Sequence, residues 1–246
     1  MTDTVLEEGL ALLNFTDRGR DNVLPLLRKY IEEIELFNPA YGLVKVRDRE
    51  ELIVKHILDS LAALGIIGSI LGETGAAGES AGTGRAAGEQ PAIADAGSGA
   101  GFPGIPLAIA MPGARFTLIE RMRRRAGFLR ECSAVLGLAN VAVEETEMEK
   151  IACDPAAGRF QAVVFRAFRP LEPGILRGLF RLLAPGGVLA AYKGRREAVE
   201  QEMAAAEKAM PELGGRWEAL PLEVPFLDEE RRLVLIRGGK DGNPAG

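Results

Sequence analysis

Ile93-Ala94-Asp95-Ala96-Gly97-Ser98-Gly99-Ala100-Gly101-Phe102-Pro103-Gly104 is the stretch whose reading decides the fold. The apolar run from Ala92 to Ala96 reads as a buried strand that contains one acid near its end. Alternating glycines then turn the chain with no Cβ in the way, so main-chain N–H groups can approach a ligand closely. Pro103 suits the first turn of a helix, where its missing donor costs nothing. That helix is expected to run through Leu107 and Ile109 and to stop near Met111-Pro112-Gly113. Strand, glycine loop and helix N-terminus in succession make a nucleotide-type pocket; the plainer alternative is a glycine turn with a structural role only.

Two cofactor classes use such a turn. Gly99-Ala100-Gly101-Phe102-Pro103-Gly104 fits the dinucleotide G-x-G-x-x-G pattern by letter. The wider spacing Asp95-x-Gly97-x-Gly99-x-Gly101 resembles the first motif of S-adenosylmethionine-dependent methyltransferases of the Rossmann-like class. That resemblance implies glycines that leave room for the methionine and ribose parts of the cofactor, with Asp95 toward the methionine ammonium. Under either cofactor a second acid is expected after the next strand, roughly 20 residues on, to bind ribose hydroxyls. Arg115-Phe116-Thr117-Leu118-Ile119-Glu120 supplies it, with Glu120 lying 21 positions after Gly99. Glu120 therefore supports the fold, whereas Asp95 and the four-glycine spacing favour the methyl donor.

Around this stretch, a chain of 246 residues has room for one full domain plus an extension. With 47% hydrophobic and 26% charged residues it reads as an ordinary globular protein. Met1-Thr2-Asp3-Thr4 shows no basic region followed by an apolar core, so no secretory signal is expected. The most apolar run, Ile57 to Leu71, contains Asp59 and is too short to span a bilayer. Two cysteines, Cys132 and Cys153, make neither a disulfide framework nor a metal site. These features predict a cytoplasmic protein, without metal or membrane, acting as a monomer. A net charge of −5 argues against a general nucleic-acid coat. Arginines are bunched locally, however, at Arg121 with Arg123, Arg124 and Arg125, at Arg195-Arg196 and at Arg231-Arg232. Local patches set phosphate contacts; the alternative for each cluster is a solvated helix face.

Residues 1–38 read as helical, and Asn38-Pro39-Ala40-Tyr41-Gly42 as the turn that ends the helix. A second helix is expected from about Arg49 to Leu64, with the only histidine, His56, set among Ile53, Val54 and Ile57 as a hydrogen-bonded packing residue rather than a catalyst. The stretch 72–90 is Gly/Ala-rich and reads as a flexible loop. It divides a helical extension (1–71) from a glycine-loop domain (91–238), which a flexible tail (239–246) follows. From Ala92 onward strand and helix patterns alternate, which implies an α/β fold with a mostly parallel sheet. Strands are expected at Asn140–Glu144, Phe160–Phe165 and Val188–Tyr192, helices at Leu171–Leu183 and Arg196–Met210. Leu220–Val224 and Arg232–Ile236 are expected to close the sheet as an antiparallel edge.

Several pieces together resemble one family, the bacterial 16S ribosomal RNA guanine-N7 methyltransferases called RsmG or GidB. They are Asn38-x-Ala40-Tyr41, Val46-Arg47-Asp48, Lys55-His56-Ile57-Leu58-Asp59-Ser60, the glycine loop continued through Ile105-Pro106-Leu107, Phe128-Leu129-Arg130, Arg166-Ala167-Phe168, Tyr192-Lys193-Gly194 and Glu230-Arg231-Arg232-Leu233-Val234. The match runs from about residue 30 to 237. It implies a Rossmann-like methyltransferase fold with a seven-stranded sheet, S-adenosyl-L-methionine as cofactor, and 16S ribosomal RNA within the small subunit as partner. By position, the resemblance makes Gly97, Gly99, Gly101 and Phe102 loop contacts to the cofactor, Glu120 the ribose-binding acid, and Met148 and Glu149 adenine-side contacts. Arg166 falls at the methyl-transfer site, as a catalytic and cofactor-binding residue, and Lys193 at the rim. The chain departs from the family pattern at Gly42-Leu43-Val44, Glu147 and Phe165, and by its long 72–90 insertion.

Guanine N7 carries an in-plane lone pair and no proton at neutral pH, so its methylation needs no general base, only orientation and charge handling. This agrees with the lack, after the fourth strand, of an Asn-Pro-Pro-Tyr for exocyclic amines or a Pro-Cys for cytosine C5. Arg166 is then expected to contact the guanine or its phosphate, and the Arg121–Arg125 cluster the RNA backbone. Three alternatives stand beside this reading: a methyltransferase with another acceptor, a nicotinamide-dependent oxidoreductase, and a non-catalytic RNA-binding protein.

Overall fold

The computed structural model describes residues 2–72, 90–151, 159–166 and 170–239. Expectations for the Gly/Ala-rich loop, Cys153, Ala167-Phe168 and the tail from residue 240 lie outside these residues. Seven strands form one sheet: β1 (Ala92–Ala96), β2 (Arg115–Ile119), β3 (Val141–Glu144), β4 (Phe160–Arg166), β5 (Leu183–Lys193), β6 (Trp217–Leu222) and β7 (Arg231–Arg237). Their spatial order is β3-β2-β1-β4-β5-β7-β6. The first five run parallel, and β7 enters antiparallel between β5 and β6. This is the mostly parallel seven-stranded sheet with an antiparallel close that the alternating pattern implies.

Period-two alternation sorts the strands onto two faces. Ala94, Val163, Phe165, Leu189, Ala191 and Val234 pack on one side, under α9 (Pro173–Leu182) and α10 (Arg196–Ala209). Ile93, Phe116, Ala162, Val164, Val188, Ala190 and Leu233 point to the other. There they meet α5 (Leu64–Ile70) and α6 (Gly104–Ala110). Continuous apolar strands between two helical layers are what a buried parallel sheet requires.

The N-terminal helices belong to that second layer. α1 (Thr2–Leu12) and α2 (Asp17–Tyr41) are two helices, not the single one expected from 1–38. Asn14 takes a left-handed conformation and Thr16 caps α2, its Oγ1 accepting from Gly19 N–H at 3.1 Å. α2 runs on through Asn38, Pro39 and Ala40 to Tyr41 rather than turning at Asn38; Gly42 alone ends it, in the left-handed region with its N–H on Asn38 O at 2.9 Å. Arg49–Leu52 (α3), a π-helical turn Ile53–Leu58 and Asp59–Leu61 (α4) follow as one rod, which α5 continues. By length and composition Arg49–Ile70 could cross a membrane. Its apolar residues are spent on packing instead, with Leu52, Ile53, Ile57, Leu58, Leu61 and Ile67 all buried. One core joins Leu27, Tyr30, Ile31, Ile57 and Leu61 to Ala100, Phe102 and Ile105 of the glycine loop and α6, and to Phe128 of α7 (Arg123–Leu136). Two hydroxyls fix the docking: Tyr30 Oη donates to Ala100 O at 2.7 Å, and Tyr192 Oη to Ser60 O at 2.8 Å.

β5 begins at Leu183, earlier than the expected Val188, because Leu183 pairs with Phe160 across a register shift. The other boundaries fall within a few residues of expectation.

Candidate active site

In this strand order the direction of winding reverses between β1 and β4, and the crevice outside their C-terminal ends is where such sheets bind ligands. The glycine loop lies there. Gly97, Gly99 and Gly101 adopt φ of 73°, 60° and 102°, a region that side-chain-bearing residues rarely enter. The glycines differ in what limits them. A Cβ on Gly101 would lie 2.6 Å from Ile105 Cδ1 and 2.9 Å from Tyr30 Oη, and one on Gly104 2.4 Å from Leu118 Cδ2. A Cβ on Gly99 would meet nothing nearer than Gly97 O at 3.9 Å, so its free side is open to a ligand.

Two carboxylates tie the loop down. Asp95 is fully buried at the end of β1, and its Oδ2 accepts the Gly104 N–H at 3.0 Å, the first N–H of α6. Its Oδ1 has no donor among the described residues, and burial pushes the carboxyl up to about 7. Glu120, also buried, accepts Gly99 N–H at 2.9 Å through Oε2 and Met122 N–H at 2.8 Å through Oε1. Each oxygen keeps a further lone pair, and the carboxylate sits against the open glycine. Met148, at the start of α8 (Met148–Ile151), is buried toward Gly178 of α9, and Glu149 follows in the same helix.

Arg166 ends β4 and lies across the crevice from the loop. Its Nη1 donates to Lys55 O at 2.8 Å and to Asp59 Oδ2 at 2.9 Å, and its Nη2 bonds His56 Nδ1. The guanidinium carbon stands 5.0 Å over the Phe102 ring, which also packs against His56 at 4.9 Å and Tyr30 at 5.4 Å. Phe102, a residue 5% exposed, is thus a platform beneath Arg166. His56 is held down at about 3, first by burial and then by the Arg166 charge, so it is neutral. Arg231 Nε stands 3.2 Å from Asp59 Oδ1, and Glu229 pairs with both Arg231 and Lys55.

Of the residues expected at a site, the structure gathers Asp95, Gly97, Gly99, Gly101, Phe102, Glu120 and Arg166 at one edge of the sheet. Arg121, Arg123 and Arg124 are exposed and Arg125 half-buried at the start of α7, with no ion pair among the described residues. Lys193 is differently placed: it pairs with Glu202 of α10 at 2.8 Å and is 16% exposed. His56 is, as expected, a hydrogen-bonded packing residue, but its partner Arg166 is not foreseen; Arg231, expected in a phosphate patch or a solvated face, turns onto Asp59, and Asp59 and Tyr30 carry no expected role. A usable signal was present, since His56 and Asp59 are polar, three residues apart and on one face of a strongly apolar helix.

A family model described as GidB, rRNA small subunit methyltransferase G, matches residues 80–233. Ribosomal RNA small subunit methyltransferase G of Treponema denticola is 37% identical, over 96% of this chain and 94% of its own. That of Stenotrophomonas maltophilia is 36% identical over 95% and 93%. Among solved structures, a putative O-methyltransferase from Klebsiella pneumoniae superposes with a TM-score of 0.53 at 15% identity, covering 87% of this chain and 90% of its own. That last likeness supports the fold alone. Similarity to named relatives over most of the chain and a family model covering the glycine loop, Arg166 and the start of β7 give one conclusion: the chain belongs to the rRNA small subunit methyltransferase G family.

Proposed function

We propose that this protein transfers a methyl group from S-adenosyl-L-methionine to N7 of a guanine in 16S ribosomal RNA of the small subunit. The observation that carries the reading is the family match, which extends from the N-terminal helices through the catalytic edge to β7. The residues present fit the cofactor: the Gly99 face is open, Glu120 lies against it with free lone pairs, and buried Asp95 Oδ1 lacks a donor. When bound, S-adenosyl-L-methionine supplies a methyl on a sulfonium sulfur, which the N7 lone pair takes as the carbon–sulfur electron pair returns to sulfur.

No proton leaves N7, and the chain's residues are arranged accordingly. The lone pair of His56 Nδ1 is already engaged by Arg166, so the histidine is not poised as a base. What remains is orientation, which can supply several kcal/mol of the barrier. The usual bidentate grip of arginine on guanine O6 and N7 would occupy the attacking lone pair. Arg166 is therefore assigned to O6 or to a neighbouring phosphate, leaving N7 free. Met148 and Glu149 are assigned to the adenine side, and Gly97 and Phe102 to the loop wall.

Arg121, Arg123, Arg124 and Arg125 are assigned to the RNA backbone. Three of them occupy the first turn of α7, where the helix dipole repels cations by about 0.3–1 kcal/mol each. An anion bound there would relieve that cost. Lys193 is given at most a rim role, because Glu202 holds it. In this reading residues 1–71 form the helical extension and 91–238 the methyl-transfer unit, in a cytoplasmic monomer.

The test is transfer of labelled methyl to small subunits lacking the modification, with digestion to nucleosides. N7-methylguanosine at one site is expected, with binding that weakens as salt rises. No transfer to subunits or to their extracted RNA would remove the assigned acceptor. Arg166→Ala is expected to lower turnover by about 10²–10³-fold while changing cofactor affinity far less; equal loss of both would sink the role given to Arg166.

A further inference from the structure

The π-helical turn Ile53–Leu58 changes which main-chain groups are free. In an α-helix the Asp59 N–H would bond the carbonyl four residues back, at Lys55. Here it bonds Val54 O and His56 O instead. Lys55 O, released from that donor, accepts Arg166 Nη1 at 2.8 Å, across 111 residues of chain. The same turn brings His56 Nδ1 and Asp59 Oδ2 to the same guanidinium. Three acceptors of three kinds, a carbonyl, an imidazole nitrogen and a carboxylate, thus converge on one side chain. Widened turns of this type are uncommon and tend to occur at functional sites.

An arginine carries five N–H donors in a rigid plane. Both on Nη1 and one on Nη2 are taken, and the Phe102 ring covers one face. The Nε–H and the second Nη2–H have no partner among the described residues. An arginine always donates, so His56 Nδ1 must be the unprotonated nitrogen of a neutral ring. A free arginine samples many rotamers; this one is held in a single plane before any ligand arrives.

We infer that His56 is a positioning residue for methyl transfer: its Nδ1, with Lys55 O and Asp59 Oδ2, fixes Arg166 so that Nε–H and one Nη2–H are presented to the reacting partners. This rests on the role proposed above for Arg166. It also gives the N-terminal extension a part in the chemistry, since all three acceptors come from it. Asp59 shares the task but also balances Arg231, so its removal mixes positioning with stability. His56 separates them.

The experiment compares His56→Phe, which keeps a ring over Phe102 but offers no acceptor, with His56→Asn, whose amide oxygen can reach the Nδ1 position. His56→Phe is expected to lower kcat on small subunits by about 10–100-fold, the scale of a misplacement of about 1 Å. KM for subunits and the cofactor Kd should move less than about threefold, and His56→Asn should recover most of the rate. A second readout needs no turnover: in the wild-type protein the Arg166 guanidinium should give separate, slowly exchanging ¹⁵N-bound Nη proton signals, which merge in His56→Phe. Wild-type kcat in a folded His56→Phe would overturn the inference, as would averaged Nη signals in the wild type, a measurement available even if His56→Phe does not fold. Failure of the wild-type protein to methylate N7 would instead count against the proposed function, and the guanidinium signals would still decide the positioning.

Discussion

The glycine loop and the π-helical turn serve the same edge of the sheet by opposite means. The loop works by leaving side chains out: three glycines at positive φ turn their N–H groups onto Ile119 O, Glu120 Oε2 and Ser98 O and keep an open face at Gly99. The turn keeps every side chain and crowds acceptors around Arg166, including a carbonyl taken from its own helix. A place that must admit a ligand is made of absence and held by buried carboxylates at its margins. A place that must hold one side chain still is made of dense polar bonding. The two should therefore fail differently when altered.

The largest effect is expected at Asp59. Its carboxylate is 2% exposed and faces both Arg166 and Arg231, which are 15% and 20% exposed. Removing one partner of a buried pair leaves an uncompensated charge, which costs about 3–5 kcal/mol. Asp59→Ala should lose about that much in denaturant unfolding; a loss below about 1 kcal/mol would mean that water replaces the carboxylate at both arginines. On the loop side, Gly104→Ala drives a methyl to 2.4 Å from Leu118 Cδ2 and 2.6 Å from Asp95 Oδ2. Overpacking of that kind costs about 1–3 kcal/mol, and here it also strains the Asp95–Gly104 bond. Unchanged unfolding would show that α6 can slide, and that the loop is less firmly anchored than the turn.

The two regions also differ in how far the sequence reveals them. The loop was legible because its function lies in residue type: only glycine takes those dihedrals, and Asp95 and Glu120 fall at strand ends that periodicity locates. The parallel sheet and its antiparallel close followed from the same alternation, while the spatial order of the strands came from the structure. The turn was not legible. A π-helical turn has no residue signature, and Lys55 contributes a carbonyl that every residue owns. The partners of Asp59 and Tyr30 arrive from Arg166, Arg231 and Ala100, far along the chain, so pairing is a product of tertiary packing. Arg166 itself was found through resemblance rather than spacing. At the N-terminus, periodicity ran across the break at 13–16 because Leu13 and Phe15 continue the apolar pattern, while the left-handed Asn14 and the Thr16 cap divide the helix.

Asp95 gives a sharper probe of the loop through pH. The unfolded carboxyl releases its proton near 3.8 and the folded one near 7, so between them the folded state holds the extra proton. This group's contribution to stability consequently falls as pH rises from about 4 to about 7, and Asp95→Asn should remove that slope. If Asp95 also receives the cofactor ammonium, binding must first ionise the carboxyl. Cofactor affinity should then rise roughly tenfold from about pH 5.5 to about pH 7, measured by calorimetry, and stay flat in Asp95→Asn. A flat wild-type profile would confine Asp95 to holding the Gly104 N–H.

Gly99 carries the smallest expected cost to the fold. A Cβ there has no neighbour within 3.9 Å, so alanine pays only for its backbone conformation at φ 60°, about 1–2 kcal/mol. Its methyl would nevertheless enter the open face beside Glu120 Oε2, the volume assigned to the cofactor. Gly99→Ala should therefore unfold only slightly more easily than the wild type and yet bind the cofactor at least about tenfold more weakly, a loss of about 1.4 kcal/mol. The reverse pattern, a large stability loss with affinity retained, would place the ligand elsewhere along the edge. It would also turn Gly99 into a residue of the same kind as Gly104, required by packing rather than by what the loop admits.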